Sequence, residues 1–330
     1  MDREQESNGE VVEAGGGDRF TPGGEPRGYI DAVRLREVWF HLGTACNLAC
    51  PFCLEGSRPG DRRLDLMKTN DVAPFVREAI TLGVEQFSFT GGEPFLAKDC
   101  PAILALAAAH RPCLVLTNGT RPLLRRIEKL RPLLAAQYPV SFRVSLDYPD
   151  ARRHDAGRGE GMFDSALEGL RALHRMGFKV SVARQWTEGE DGGDVESRFR
   201  GLFARHGLPT DLRLVSFPDF HPPGRAVETP AITEHCMTTY HTAESREAFM
   251  CASSRMVVKH GGRMRVYACT LVDDDPSYDL GGTLTESLGR RVMLRHHRCY
   301  SCFRHGASCS EMAPAAENKE DAAPCATARS

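Results

Sequence analysis

The chain lacks the marks of a membrane or nucleic-acid protein. No apolar run approaches the length needed to cross a bilayer. The start, Met1-Asp2-Arg3-Glu4-Gln5-Glu6, is acidic where an export signal would be basic and then apolar. The formal net charge is only −2, so there is no global attraction to nucleic acid or to an anionic surface. Aromatic residues are sparse at 8%, yet 41% hydrophobic content over 330 residues is enough for one large domain and a smaller appendage. Cysteine, by contrast, is plentiful, with twelve residues. In the reducing cytoplasm expected for a chain without an export signal, so many thiols point to metal ligation rather than disulfides.

Residues 1–30 are rich in Gly, Glu and Asp and are expected to form a disordered leader, too short for a further peptide-recognition domain. A loose tail is expected at 313–330, containing Cys325. Between them, strand-like segments at 36–42, 85–90, 113–117, 140–147, 178–184 and 211–216 alternate with helical ones at 71–82, 99–109, 121–135, 163–175 and 194–206. Such alternation predicts βα units around a parallel sheet over about 31–225, followed by a cysteine-rich unit over 226–312.

The first strand leads into Thr-Ala-Cys46-Asn-Leu-Ala-Cys50-Pro-Phe-Cys53. Three thiolates on one short loop suit an iron–sulfur cubane, and four irons with three local ligands leave one iron open for another molecule. The bland alternative, a zinc knuckle, lacks a nearby fourth ligand. Some forty residues on, the second strand ends in Gly91-Gly92-Glu93-Pro94. That sequence alone is also an ordinary turn, but here it lies at the strand's carboxyl end, where α/β sheets place their ligands.

Together these motifs resemble the radical SAM superfamily. The resemblance implies a partial (β/α)6 barrel, a [4Fe–4S] cluster with an open iron site on Cys46, Cys50 and Cys53, and S-adenosylmethionine (SAM) chelated to that iron. It implies that Gly91, Gly92, Glu93 and Pro94 hold the methionine amino group, and that Asn118 after the third strand and Ser145 on the fourth line the SAM groove. The fourth strand alternates, with Phe142, Val144 and Leu146 on one face and Ser141, Arg143, Ser145 and Asp147 on the other. Asp147 and Arg184 are the candidate catalytic residues, Arg184 also as a carboxylate holder at the end of the fifth strand. Arg143 pairing with Asp147 is the structural alternative. His154, Asp155 and His221 also fall after strands, His154 expected as a solvated loop residue. Cys100 and Cys113 read as core thiols.

Further on, alternating runs flank Gly261-Gly262, a hairpin signal that brings Cys251 and Cys269 together, and a helix-like stretch at 284–296 delivers Cys299-Tyr300-Ser301-Cys302. The order resembles the Twitch and SPASM extensions of radical SAM enzymes. This implies one auxiliary [4Fe–4S] cluster on Cys251, Cys269, Cys299 and Cys302, with Cys309 as a possible substitute ligand and Cys236 as a spare ligand or buried thiol. Zinc on Cys299, Cys302, His305 and Cys309 is the competing reading by spacing.

The expected activity is reductive cleavage of SAM and hydrogen abstraction from a small-molecule or peptide substrate, for oxidation or bond formation. The electron would come from a reducing partner such as flavodoxin or ferredoxin, and neither a membrane nor a nucleic acid is indicated. The length leaves no room for a cobalamin-binding domain. Two other classes stay open: a non-enzymatic iron–sulfur sensor or scaffold, and a radical SAM core carrying a zinc-held binding module.

Overall fold

The computed structural model describes residues 13–14, 19–32, 34–187, 189–225 and 227–306. Cys309 and Cys325 therefore lie outside the described residues, and with them the zinc alternative that needs Cys309. Six strands run parallel in chain order: Glu37–His41, Gln86–Thr90, Cys113–Thr117, Val140–Ser145, Lys179–Gln185 and Leu214–Phe217. The helices Thr69–Thr81, Cys100–Ala108, Met162–Met176 and Gly192–Arg205 lie between them in sequence. The period-2 pattern explains the layering. Val38 and Phe40, Phe87 and Phe89, and Phe142, Val144 and Leu146 join one core with helix residues such as Val76, Ile103, Leu170 and Phe199. The alternate residues Trp39, Ser145 and Asp147 turn to the interior cavity.

The expected helix over 121–135 is instead a single turn, Arg121–Leu124, followed by a 3-10 stretch, Ile127–Ala135. Pro132 sits inside that stretch, and its missing N–H and ring clash prevent a continuous α-helix.

The cysteine-rich unit begins as a continuation of the same sheet. The hairpin Ser254–His260 and Arg263–Tyr267 turns through Gly261 and Gly262, both at positive φ (55° and 77°), the conformation a two-residue primed turn demands. Ser254 to Val257 pairs in parallel with Glu37 to Phe40, giving eight strands with the hairpin on the first-strand edge. The expected helix at 284–296 is replaced by one turn, Leu284–Ser287, and a strand, Arg291–Met293. Cys299 and Cys302 lie on the next helix, His297–His305. Gly289, at φ 75°, ends the turn before that strand.

The expectation of a disordered leader over 1–30 fails for its described residues. Tyr29–Asp31 pairs antiparallel with Arg291–Met293, and Arg27 bridges Thr233, so residues 19–31 belong to the fold. Their Gly and Pro residues form a turn, with the Gly24 N–H donating to Thr21 O at 2.9 Å, and Ile30 is buried. A second core packs Ile30, Trp39, Met256, Val258 and Tyr278 around Cys251, Cys269, Cys299 and Cys302.

Candidate active site

The first strand delivers the cysteine loop to the carboxyl end of the barrel, where Cys46, Cys50 and Cys53 line a cavity of about 230 Å³. Short bonds shape the loop: Cys53 N–H donates to Cys50 O at 3.1 Å and Gly56 N–H to Cys53 O at 2.9 Å. Burial raises all three thiols, Cys46 to about 12, so they surrender their protons only to something that compensates the thiolate charge. The paired glycines have a steric reason. A Cβ on Gly91 would come within 2.8 Å of Gly43 O, and one on Gly92 within 2.4 Å of Ala45 O. Gly92 N–H donates to Gly43 O at 2.9 Å and Glu93 N–H to Ala45 O at 3.0 Å. Only a side-chain-free segment can press this flat against the backbone entering the cysteine loop.

Gly91, Gly92, Asn118, Ser145, Asp147 and Arg184 all line the cavity. Glu93 and Pro94 do not; both are buried behind it. The Glu93 carboxylate accepts from Thr117 Oγ1 at 2.8 Å, Asn118 N at 2.8 Å and Phe95 N at 3.2 Å. Burial pushes its pKa up to about 7 against those donors. Asn118 braces the cysteine loop, donating to Asn47 Oδ1 at 3.0 Å and lying 3.9 Å from Cys46 Sγ.

Asp147 pairs with Arg158 rather than Arg143, accepting from Nη2 at 3.1 Å and from Nε. Burial works against the Asp147 charge, but the Arg158 guanidinium wins and holds the carboxyl below its usual range. Arg158 itself lines the cavity, 5.6 Å from the Phe52 ring. It was not evident from the sequence, although it stands four residues after His154 on one helical face. His154 is not solvated: the helix Ala151–Arg158 turns it inward to 1% exposure, and its Nδ1 accepts from Asp147 N at 3.2 Å. Burial, then Arg158, push it down to about 4, so the imidazole is neutral. Asp155 is spent on the Gly161 and Phe163 N–H groups. Arg184 is buried, ion-paired with Glu190, and donates to Ser216 Oγ at 3.2 Å. Cys100 and Cys113 are fully enclosed in the core.

Residues 40–185 match the radical SAM superfamily profile. They form a radical SAM domain. Mycofactocin maturase MftC of Mycolicibacterium smegmatis is 33% identical over 175 residues, covering 51% of this chain and 41% of the maturase. A GTP 3',8-cyclase of Tolumonas auensis is 31% identical over 219 residues, covering 61% of this chain and 62% of the cyclase. The chain thus spans about two- to three-fifths of the curated relatives it matches. Streptococcus suis SuiB bound to S-adenosylmethionine superposes with a TM-score of 0.56 at 14% identity, over 74% of this chain and 63% of SuiB. Native anSMEcpe with bound AdoMet gives 0.56 at 14% identity, over 80% and 82%. At that identity the two structures establish the fold. A radical SAM domain carries a [4Fe–4S] cluster and SAM, and the donor set here fits both: three thiols, glycine backbone and the Asp147–Arg158 pair line the same cavity.

Behind the radical SAM cavity, Cys251, Cys269, Cys299 and Cys302 are gathered from three elements and buried. Burial pushes Cys251 and Cys269 far up, and each is raised further by Cys299 and Cys302, so the four sulfurs share one site. Cys236 lies in the same core, its sulfur 3.0 Å from Thr233 Oγ1, and is disulfide-bonded rather than the spare ligand or free buried thiol expected. Two buried arginines beside the quartet were not evident from the sequence, because, apart from Asp274 on Arg298 (3.2 Å), the partners given below are carbonyls. Arg255 donates to Cys251 O at 2.7 Å and Ser287 O at 3.3 Å. Arg298 donates to Leu54 O (2.9 Å), Phe220 O (3.0 Å), His221 O (2.8 Å) and Leu271 O (2.9 Å). A second tie joins the loops: Arg63 bridges Glu55 at 2.7 Å and Asp273 at 3.1 Å, with His41 Nε2 3.2 Å from Glu55. His41, Glu55 and Asp273 are close enough to chelate an ion, but Arg63 already supplies their cation.

Proposed function

We propose that this chain is a radical SAM enzyme of peptide or small-molecule modification, working in the cytoplasm with an electron from a flavodoxin- or ferredoxin-type partner. The observation that carries it is the lining of one cavity, which Cys46, Cys50 and Cys53 share with Thr270, the neighbour of Cys269. A substrate there would meet both the SAM site and the residue next to the quartet. When bound, cluster and SAM would supply the chemistry, one-electron reductive cleavage of SAM to methionine and a hydrogen-abstracting 5′-deoxyadenosyl group. The protein orients and encloses. Asp147 fixes Arg158 across the cavity, Asn118 and the paired glycines fix the cysteine loop, and Ser145 offers a hydroxyl to SAM. Arg184, held by Glu190, is available to an anionic group at the same wall.

The quartet is proposed to hold an auxiliary [4Fe–4S] cluster. Four buried thiols gathered inside one hydrophobic core suit the all-thiolate ligation of such a cluster. Buried Arg255 would offset the cluster's negative charge. A maturase and a nucleotide cyclase among the relatives keep both substrate classes in view.

The test is iron and sulfide per chain after anaerobic reconstitution, with 5′-deoxyadenosine release under dithionite. Wild type should hold about eight irons. Replacing Cys46, Cys50 and Cys53 by Ala should leave about four and abolish release. Persistent SAM cleavage in the triple variant overturns the reading, and zinc in the remaining site overturns the auxiliary cluster.

A further inference from the structure

The cysteine loop has two faces. Cys46, Cys50, Phe52 and Cys53 turn to the cavity, while Asn47, Ala49 and Pro51 turn to an open groove of about 800 Å³ on the other side. We propose that this groove is the docking site of an acidic one-electron carrier protein, an inference that rests on the radical SAM reading above.

Three observations select that occupant. First, the groove reaches the loop from outside: Ala49 and Pro51 are exposed there, so a carrier seated on them comes as near the three thiols as the loop's thickness allows. Electron transfer weakens steeply with distance, and the opposite face belongs to the SAM cavity. Second, the groove wall is cationic. Arg121 and Arg125, on and just after a short helix, are exposed, and neither makes an ion pair among the described residues. The wall stays net positive, because its one carboxylate, Asp155, stands against Arg121, Arg125 and Arg126. Arg126 is different: it donates to Ala97 O and Lys98 O, both at 2.9 Å, and serves the scaffold. Third, Leu96, Pro122 and Met162 give the groove an apolar stretch beside the arginines. An apolar centre with charges around it is the usual make-up of a transient protein interface, and complementary charge sets its association rate.

At this face one electron passes from carrier to cluster. The carrier is oxidised and the cluster reduced by one electron, and no bond changes in that step.

The probe is flavodoxin hydroquinone, mixed at low ionic strength with the reconstituted protein while the cluster's visible absorbance is followed by stopped flow. SAM cleavage is not read, so failure of the radical chemistry leaves this test intact. R121E/R125E should slow reduction by flavodoxin about tenfold or more, with R121Q/R125Q intermediate, and reduction by dithionite should be unchanged in both. Binding of dye-labelled flavodoxin, measured by anisotropy, should weaken in the same order, and added salt should narrow the gap between wild type and variants. Equal flavodoxin rates in wild type and charge-reversed protein overturn the proposal. Equal slowing with dithionite also overturns it, because the arginines would then be supporting the loop rather than the carrier.

Discussion

The two cysteine sites are built in opposite ways. Cys46, Cys50 and Cys53 come from one loop, and Cys50 and Cys53 remain partly exposed at a cavity. Cys251, Cys269, Cys299 and Cys302 come from a helical turn, the end of a hairpin and a later helix, all inside a hydrophobic core. A site made of near neighbours costs the fold little and can leave a metal position free for a ligand. A site assembled from distant segments is inseparable from the packing that brings them together. The first is built to present, the second to enclose.

That contrast can be broken. C269A should cost at least about 2 kcal/mol, or roughly 5 °C in Tm by calorimetry, together with about four irons, while substrate-free cleavage of SAM persists. C50A should stop cleavage with a much smaller Tm change. Equal shifts in the two variants would erase the distinction.

D147N sharpens it at the cavity wall. Removing one partner strands the Arg158 cation, a loss of about 3–5 kcal/mol for a buried pair, read as a lower urea midpoint and weaker SAM binding. The second change R158M, in the D147N background, should restore much of the midpoint but not the binding.

A third effect is acid sensitivity. His154 is pushed down to about 4 by burial and then by Arg158, while an unfolded imidazole titrates near 6.5. As pH falls between those values the unfolded chain gains a proton that the folded one refuses, so about 3 kcal/mol is lost across the window. H154Q should flatten that part of the stability profile measured by urea unfolding. Glu93, raised to about 7, works in the other direction as pH rises.

Legibility in the sequence followed range. The six strands and the hairpin were readable because alternation and turn chemistry are local signals. The cysteine loop was readable because its ligands lie within eight positions. The bonds of the Glu93 carboxylate were not legible, because its acceptor capacity goes to Thr117 and Asn118, at the end of a neighbouring strand. His154 looked solvated inside a run of charges, since nothing local announces which helical face a barrel will cover. Residues 19–31 looked disordered because their partner strand lies far along the chain, at Arg291–Met293.

Arg298 carries a consequence in time. Its bond to Leu54 O spans 244 residues of sequence, and those to Phe220 and His221 tie the exit of the sixth strand to the same guanidinium. During synthesis the cysteine loop is made early, yet these carbonyls wait for their donor until almost the whole fold has left the ribosome. Such long-range closure is slow and comes last. The nascent barrel therefore passes through a stage in which its thiols are accessible and its mouth is unfastened. Metal delivered in that interval would meet an open loop, and metal delivered afterwards a fastened one.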